Sequence, residues 1–392
     1  MRGHVRQRGR NGRNWAIVLD THDPQTGERR RKWISFSGTL REARVECARL
    51  ITEMKNGAYV DATRETVSTF LLDRWIEHMQ GQVSPRSLER YAELCRNNIV
   101  PLLGATPLAK LQPAQISQAY AKALASGRRD GTGGLSPRTV HHMHRVLREA
   151  LQQAVRWQVL ARNPADAVKP PKVERKQMQT LDADGTVRLI EAARGSSLFM
   201  PILLGVLCGL RRGEITALRW RSIDLDRGQL SVTASTEQTN RGIREKETKS
   251  GKARTVALPS LIVDELRRRR VAQAEGLLQA GVRLTDDHHV VAREDGQPLQ
   301  PGSLTHAFVK FIRQRGLPPI RLHDLRHSHA THMLASGVHP KIAQERLGHS
   351  SVSVTIDLYS HVLPGMQAEA VSKVDAVLRD ALNRRAVPNK KW

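Results

Sequence analysis

The chain has 392 residues, more than one ordinary core accommodates, so two or three domains are expected at roughly 100–200 residues each. Lys plus Arg number 63 against 38 Asp plus Glu, a formal charge of +25 that favours a polyanionic partner, above all nucleic acid. The longest apolar run, Leu198 to Leu210, contains Pro201 and falls short of the ~20 residues a membrane span needs. The basic N-terminus has no apolar run behind it to act as a secretory signal. Cys47, Cys95 and Cys208 are too widely spaced for a CxxC zinc pair or a disulfide framework, which fits a reducing cytoplasm. A membrane protein, a secreted disulfide scaffold and a structural zinc finger are thereby set aside.

Residues 1–60 read as a small basic module. Trp15, Ile17 and Leu19 alternate as in a strand, Asp23-Pro24 and Gly27 mark a turn, and a second strand covers 29–36. Thr39 and Glu42 have the spacing of a capping box. The helix behind them aligns Leu40, Ala43, Cys47, Leu50, Ile51 and Met54 and stops near Gly57. Residues 64–168 are helical throughout. Val67, Phe70, Leu71, Trp75 and Met79 share one face; Leu88, Tyr91, Cys95 and Ile99 share another, on a helix expected to end at Pro101 and Gly104. A third helix covers about 113–125. A fourth, opened by Ser136-Pro137, carries Val140, Met143, Leu147, Leu151 and Val155.

Residues 169–179 (KPPKVERKQMQ) form an extended basic linker stiffened by two prolines. The rest, 180–385, is mixed. Helices are expected near 183–193, 198–210 and 212–219, with short strands at 223–225, 230–233, 246–249 and 254–258, and a mainly helical remainder. The fold class is therefore multidomain and mainly α with small β-sheets. It comprises a sheet-and-helix N-terminal module, a four-helix bundle and a mixed α/β third domain.

Four islands in this last region carry side chains suited to chemistry. Gly209-Leu210-Arg211-Arg212-Gly213-Glu214 follows the apolar helix, so Arg211 would be anchored by the core with its guanidinium fork free for a phosphate, and Glu214 three residues on could orient it. In Thr248-Lys249-Ser250-Gly251-Lys252, Ser-Gly signals a hairpin turn that would carry Lys249 at its tip, where a lysine donates a proton to a leaving oxygen. His323-Asp324-Leu325-Arg326 places His323 and Arg326 on one helical face, an imidazole beside a guanidinium. His323 and His327 could alternatively grip zinc, but no HExxH glutamate or cysteine accompanies them; for His327, His329 and His332 the reading is core or capping histidines. The fourth island is Leu347-Gly348-His349-Ser350-Ser351, followed by Tyr359-Ser360-His361. Tyr359 is one of four tyrosines in the chain and reads either as a packing residue or as a nucleophile.

The ordered set G-L-R-R-G-E, T-K-S-G, H-D-L-R-H, L-G-H-S-S and Y-S-H resembles the tyrosine recombinases, and within them the phage-type integrases. The ten-residue interval from His349 to Tyr359 agrees with these. The resemblance implies a site-specific recombinase that integrates or excises a phage or other mobile element through a 3′-phosphotyrosyl intermediate, without metal, ATP or any cofactor. It assigns the nucleophile to Tyr359 and the phosphate clamp to Arg211 and Arg326. Lys249 would protonate the departing 5′-oxygen, His323 would serve as general acid/base, His349 would hydrogen-bond the phosphate, and Glu214 would support its neighbours. It also implies arm-type DNA binding by 1–60, core binding by 64–168 and catalysis by 180–385. The C-terminal tail, with Val371, Val374, Ala376 and Leu378, would pack onto a neighbouring protomer. The expected partners are double-stranded core and arm attachment sites, a homo-tetramer on DNA, a DNA-bending host factor and an excisionase, in the cytoplasm and nucleoid of a bacterial host.

Rival readings remain. A metal-dependent nuclease would use Asp224 and Asp226 on one strand face to hold Mg²⁺; a non-catalytic DNA-binding protein would be indifferent to Tyr359; a type IB topoisomerase would share the phosphotyrosine chemistry.

Overall fold

The computed structural model describes residues 3–8, 13–22, 29–55, 65–174, 178–247, 253–359 and 366–386. The chain divides into two compact units, 1–174 and 175–392.

The first unit begins with an antiparallel sheet of β1 (Gly3–Gln7), β2 (Asn14–His22) and β3 (Arg29–Ser37), in that order. Ile17 of β2 registers with Val5 and Ile34 on either side. One sheet face closes over the helix Leu40–Lys55, burying Ile17, Leu19, Cys47 and Leu50 against Val5, Ile34, Phe36, Ile51 and Met54. The expected capping box opens that helix: the Thr39 N–H donates to Glu42 Oε2 at 2.7 Å and the Glu42 N–H to Thr39 Oγ1 at 3.3 Å. Strand β1 has no counterpart in the sequence reading, because Val5 is its only large apolar residue and a period of two needs several.

Four helices follow, over 67–78, 85–103, Pro113–Ser126 and Pro137–Arg156. Pro85, Pro113 and Pro137 each stand in the first helical turn, where the missing N–H costs nothing. The first two helices contain wide π turns, Phe70–Trp75 and Cys95–Ile99. The second of these explains a departure from expectation. The helix runs through Pro101 to Leu103 and ends on Gly104, so of the two expected stops only the glycine holds. The Val100 N–H reaches back to Cys95 O, a five-residue step. The loosened turn thus absorbs the carbonyl clash that an interior proline would otherwise create. Trp75 stacks on Tyr91 at 5.5 Å inside a core built from all four helices.

The second unit is organised around the helix Phe199–Cys208, buried on nearly every side. The helix Leu322–Ala335 packs on it where Gly205 leaves room: a Cβ there would sit 3.1 Å from Leu325 Cδ1. This approach brings the H-D-L-R helix to the end of the apolar helix, where G-L-R-R begins. Two small sheets complete the unit. β4 (Ile223–Asp224), β5 (Gln229–Val232) and β8 (Arg254–Ala257) form one; β6 (Ala234–Thr239) and β7 (Gly242–Glu247) form a hairpin. The expected hairpin around Ser250-Gly251 is therefore corrected. The flanking strands pair elsewhere, β7 with β6 and β8 with β5, and the turn residues 248–252 themselves lie outside the described residues. Sequence reading overlooked β6 because Ala234–Thr239 is polar, and its one buried side chain, Thr236, carries a hydroxyl. Asp224 accepts the N–H groups of Asp226 (3.1 Å) and Arg227 (2.8 Å), which is a turn-closing role. Beyond β8 lie the helices Ser260–Gln279, Pro301–Gln314, Pro340–Leu347, Val352–Tyr359 and Met366–Ala386. No described helix is long and apolar enough to cross a membrane.

Candidate active site

Two helix C-termini converge in the second unit. Phe199–Cys208 and Pro340–Leu347 each end on a glycine in the left-handed conformation, Gly209 (φ 66°) and Gly348 (φ 63°). Such ends leave carbonyl oxygens without intrahelical partners and concentrate negative partial charge. At both positions a Cβ would also collide with site residues: with His329 Cδ2 at 2.7 Å for Gly209, and with Arg254 Nη1 at 3.0 Å for Gly348.

Arginines fill this negative corner. Arg326, 2% exposed, donates Nη1 to Gly209 O at 2.7 Å and Nη2 to Leu347 O, so it bridges the two helix ends. Arg211 donates Nη2 to Gly348 O at 2.8 Å and Nη1 to Glu214 Oε1 at 2.8 Å. Arg254 donates Nε to Arg346 O at 2.9 Å. Three consecutive carbonyls, of residues 346, 347 and 348, thus each accept from a different arginine. Held by the backbone on one side, Arg211 keeps about a third of its side-chain surface exposed.

Glu214 lies beneath them with 3% exposure. Its Oε2 accepts the Arg211 N–H at 2.9 Å, which caps the helix Arg212–Ala217. Arg254 grips both its oxygens, Nη1 to Oε1 at 3.0 Å and Nη2 to Oε2 at 2.6 Å. Burial alone would push this carboxyl up. Hydrogen bonding and charge from Arg254, then from Arg211, overcome that and hold it at about 2. Asp324 repeats the device on the other arginine-bearing helix. Its Oδ2 accepts the Arg321 N–H at 2.7 Å and its Oδ1 pairs with the Arg321 guanidinium.

The histidines separate into roles. His349 follows Gly348 directly, and its Nδ1 lies 2.8 Å from Thr355 Oγ1. With that hydroxyl donating, the ring carries its proton on Nε2. Burial, reinforced by the charges of Arg326 and Arg211, lowers its pKa to about 3. A neutral imidazole that still offers an N–H is the consequence. His323 opens the helix Leu322–Ala335 and meets His327 edge to face, ring centres 4.8 Å apart. Its pKa is lowered by desolvation among its neighbours, then by Arg326 and Arg211, although the residue as a whole is exposed. His329 is structural, as expected. It donates from Nδ1 to Val206 O at 2.8 Å and accepts at Nε2 from Arg346 Nε at 3.0 Å. His332 bonds Thr186 Oγ1 at 3.1 Å.

The structure therefore brings together Arg211, Glu214, His323, Arg326 and His349. Tyr359 is the last residue of the helix Val352–Tyr359, whose Thr355 contacts His349; its side chain is outside the described atoms, and Lys249 is outside the described residues. Sequence reasoning missed Arg254, Arg346 and the capping role of Asp324. Asp324 stands three residues into its helix, where a capping acid is expected. Arg346 stands in the last turn before a glycine stop, where cations favour the helix dipole. Arg254 gave no signal beyond strand periodicity.

Models of known families match the chain in two places. The phage integrase family covers residues 173–365, and the phage integrase N-terminal SAM-like domain covers 68–124. The tyrosine recombinase XerC of Xanthomonas campestris pv. campestris is 30% identical over 311 residues, covering 78% of this chain and 87% of that protein. A tyrosine recombinase XerC-like protein of Caldanaerobacter subterraneus is 28% identical, over 87% of this chain and 90% of that protein. The ICEBs1 integrase of Bacillus subtilis is 31% identical over 62% of this chain and 67% of its own length. Among solved structures, the fold is shared with the Tn1549 transposon integrase in complex with a circular intermediate DNA. The TM-score is 0.64 at 19% identity, over 75% of this chain and 95% of that one. A lambda integrase tetramer bound to a Holliday junction gives a TM-score of 0.56 at 20% identity, over 89% and 95%. The chain belongs to the phage integrase family and is a tyrosine-type site-specific recombinase, an enzyme that acts on DNA.

Proposed function

We propose that this protein is the integrase of a mobile element and that the arginine-lined corner is where it cuts and rejoins DNA. Tyr359 Oη attacks the scissile phosphorus, the bond to the 5′-oxygen breaks, and a 3′-phosphotyrosyl bond with a free 5′-hydroxyl results. Arg211 and Arg326 take the non-bridging oxygens and stabilise the charge that grows there. His349 donates from Nε2 to the same phosphate. Lys249 delivers the proton to the departing 5′-oxygen, and His323 exchanges the tyrosine proton. Glu214 touches no DNA. The covalent bond conserves the phosphodiester energy, so religation to a new 5′-hydroxyl needs no ATP.

The observation that carries this reading is the convergence of Arg211, Arg326 and His349 on one turn, Leu347 to His349. These are cationic forks beside a neutral N–H donor, the set a phosphodiester requires.

The surrounding modules extend the proposal. The sheet face turned away from Leu40–Lys55 carries His4, Arg6, Arg31, Ser35 and Trp33, the last half exposed, and supports arm-site binding by residues 1–60. The helix Pro137–Arg156 exposes Arg138, His141, Arg145 and Arg148 along one side, which supports core-site binding by residues 64–168. Val371, Val374, Leu378 and Leu382 stand exposed on the helix Met366–Ala386 at helical spacing, and support packing onto a neighbouring protomer in a tetramer on paired sites. The site of action is the bacterial cytoplasm and nucleoid, with a DNA-bending host factor and an excisionase as further partners.

The test is to incubate the full chain in EDTA with nicked duplexes tiled across the DNA on either side of its own gene. An SDS-resistant protein–DNA adduct, lost in Tyr359→Phe, is expected. Cleavage that stops with chelator would point instead to a metal-dependent nuclease.

A further inference from the structure

Arg254 belongs to none of the sequence motifs, yet it bonds two separate parts of the site's framework. Its guanidinium closes on both oxygens of Glu214, at 3.0 and 2.6 Å, while its Nε holds Arg346 O at 2.9 Å. Glu214 in turn fixes Arg211 through backbone and side chain, at 2.9 and 2.8 Å. On the far side, the Gly348 turn crowds Arg254 so closely that an added Cβ would lie 3.0 Å from Nη1 and 3.1 Å from Cδ. Arg254 also stands at the first position of β8, directly beyond the segment 248–252 that contains Lys249.

We propose that Arg254 is a positioning residue for strand cleavage, tying the Arg211–Glu214 turn, the Leu347–His349 turn and strand β8 into one rigid frame. The proposal rests on the reading of Arg211 and His349 as phosphate ligands. Arg254 acts through them, being only 11% exposed and spending its donors on protein acceptors.

The frame depends on a buried ion pair, and buried pairs behave asymmetrically when one partner is removed. The charged groups facing Glu214 are Arg211 from its own turn and Arg254 from β8. Arg346 and His349, on the helix end, face Arg254 in their turn. Without the Arg254 fork, Glu214 stays buried with one cationic neighbour, and burial then dominates. Its carboxyl shifts upward toward protonation, and each proton it takes up weakens its hold on the Arg211 side chain. Arg254→Gln should therefore cleave slowly and acquire a new acid limb. A residue that merely helped the unit to fold would lower the rate by the same factor at every pH.

The experiment measures covalent adduct formation by the full chain on the nicked duplex, across about pH 5–8, for wild type, Arg254→Gln, Arg254→Lys, Glu214→Gln and the Arg254→Gln/Glu214→Gln double variant, with Tyr359→Phe as control. Arg254→Gln should lose roughly tenfold to a hundredfold in rate, by analogy with the partners that orient metal ligands, with DNA affinity unchanged. Its loss should deepen toward low pH, Arg254→Lys should recover part of the rate, and the double variant should lack the acid limb. A loss of equal size at all pH values, or a limb that survives in the double variant, would overturn the positioning role. If Arg254→Gln does not fold, Arg254→Lys and Glu214→Gln decide: both at wild-type rate would overturn the proposal. A wild-type adduct that survives in Tyr359→Phe would defeat the reading of the site itself, which is a separate failure.

Discussion

Arg326 offers the sharpest single perturbation, because both halves of its fork are committed to backbone. It is 2% exposed and joins Gly209 O to Leu347 O, two carbonyls from helices far apart in sequence. In Arg326→Lys the charge survives but the fork does not. An ammonium is a compact point charge on a flexible stem and cannot reach two acceptors placed for a planar guanidinium. One buried carbonyl is left unsatisfied, at a cost of about 1–3 kcal/mol. For a unit of this size that corresponds to a fall in Tm of roughly 2–4 °C per kcal/mol. The catalytic loss is separate. Under the proposed function Arg326 stabilises the phosphate, and removing a preorganised donor to a developing oxyanion costs about 2.7–4 kcal/mol, or roughly 10²–10³ in rate. The assay pairs thermal unfolding with single-turnover adduct formation at a temperature where the variant is fully folded. A folded Arg326→Lys that cleaves at the wild-type rate would refute the assignment of Arg326 to the phosphate. An unchanged Tm would refute the account of its anchoring.

Acid stability follows from the buried histidines. Burial above all holds His327 and His329 at about 4, so the folded state stays unprotonated where an unfolded imidazole (ordinary pKa 6.5) has already charged. Because the unfolded chain then binds more protons, stability should fall as pH drops from about 6.5 toward 4. His329→Gln, which can still donate to Val206 O and accept from Arg346, should flatten that slope in urea titrations; an equally steep slope would exclude His329 as a source. Deleting residues 1–60 removes a module with its own core, and should abolish integration while sparing cleavage of an isolated core site. Equal recombination without it would reject the arm-site reading. Affinity for DNA should weaken steeply with salt, because a +25 chain contacts many phosphates; a gel-shift series between low and moderate salt checks this, and a flat response would contradict it.

Much of the molecule was legible in its sequence because the signals were local. Charge balance pointed to a polyanion, proline at helix starts and apolar stripes marked the four-helix region, and the ordered motifs with the His349–Tyr359 interval carried the family. What escaped was long-range or below the resolution of a period. Strand β1 has one apolar residue to announce it, β6 is polar, and Pro101 reads as a helix stop unless the preceding π turn is known. The motifs could name Arg211, Arg326 and His349, and Glu214 as the support of Arg211, but not the backbone carbonyls that hold both arginines. That depended on two left-handed glycines leaving carbonyls exposed at helix ends, and on partners 117 and 137 residues away along the chain. Orphan carbonyls attract whatever cation the fold brings near. Only the packing of Leu322–Ala335 against Phe199–Cys208 over Gly205 decided that the cations would be Arg326 and Arg211, with the motif residue Glu214 braced by Arg254 from outside every motif.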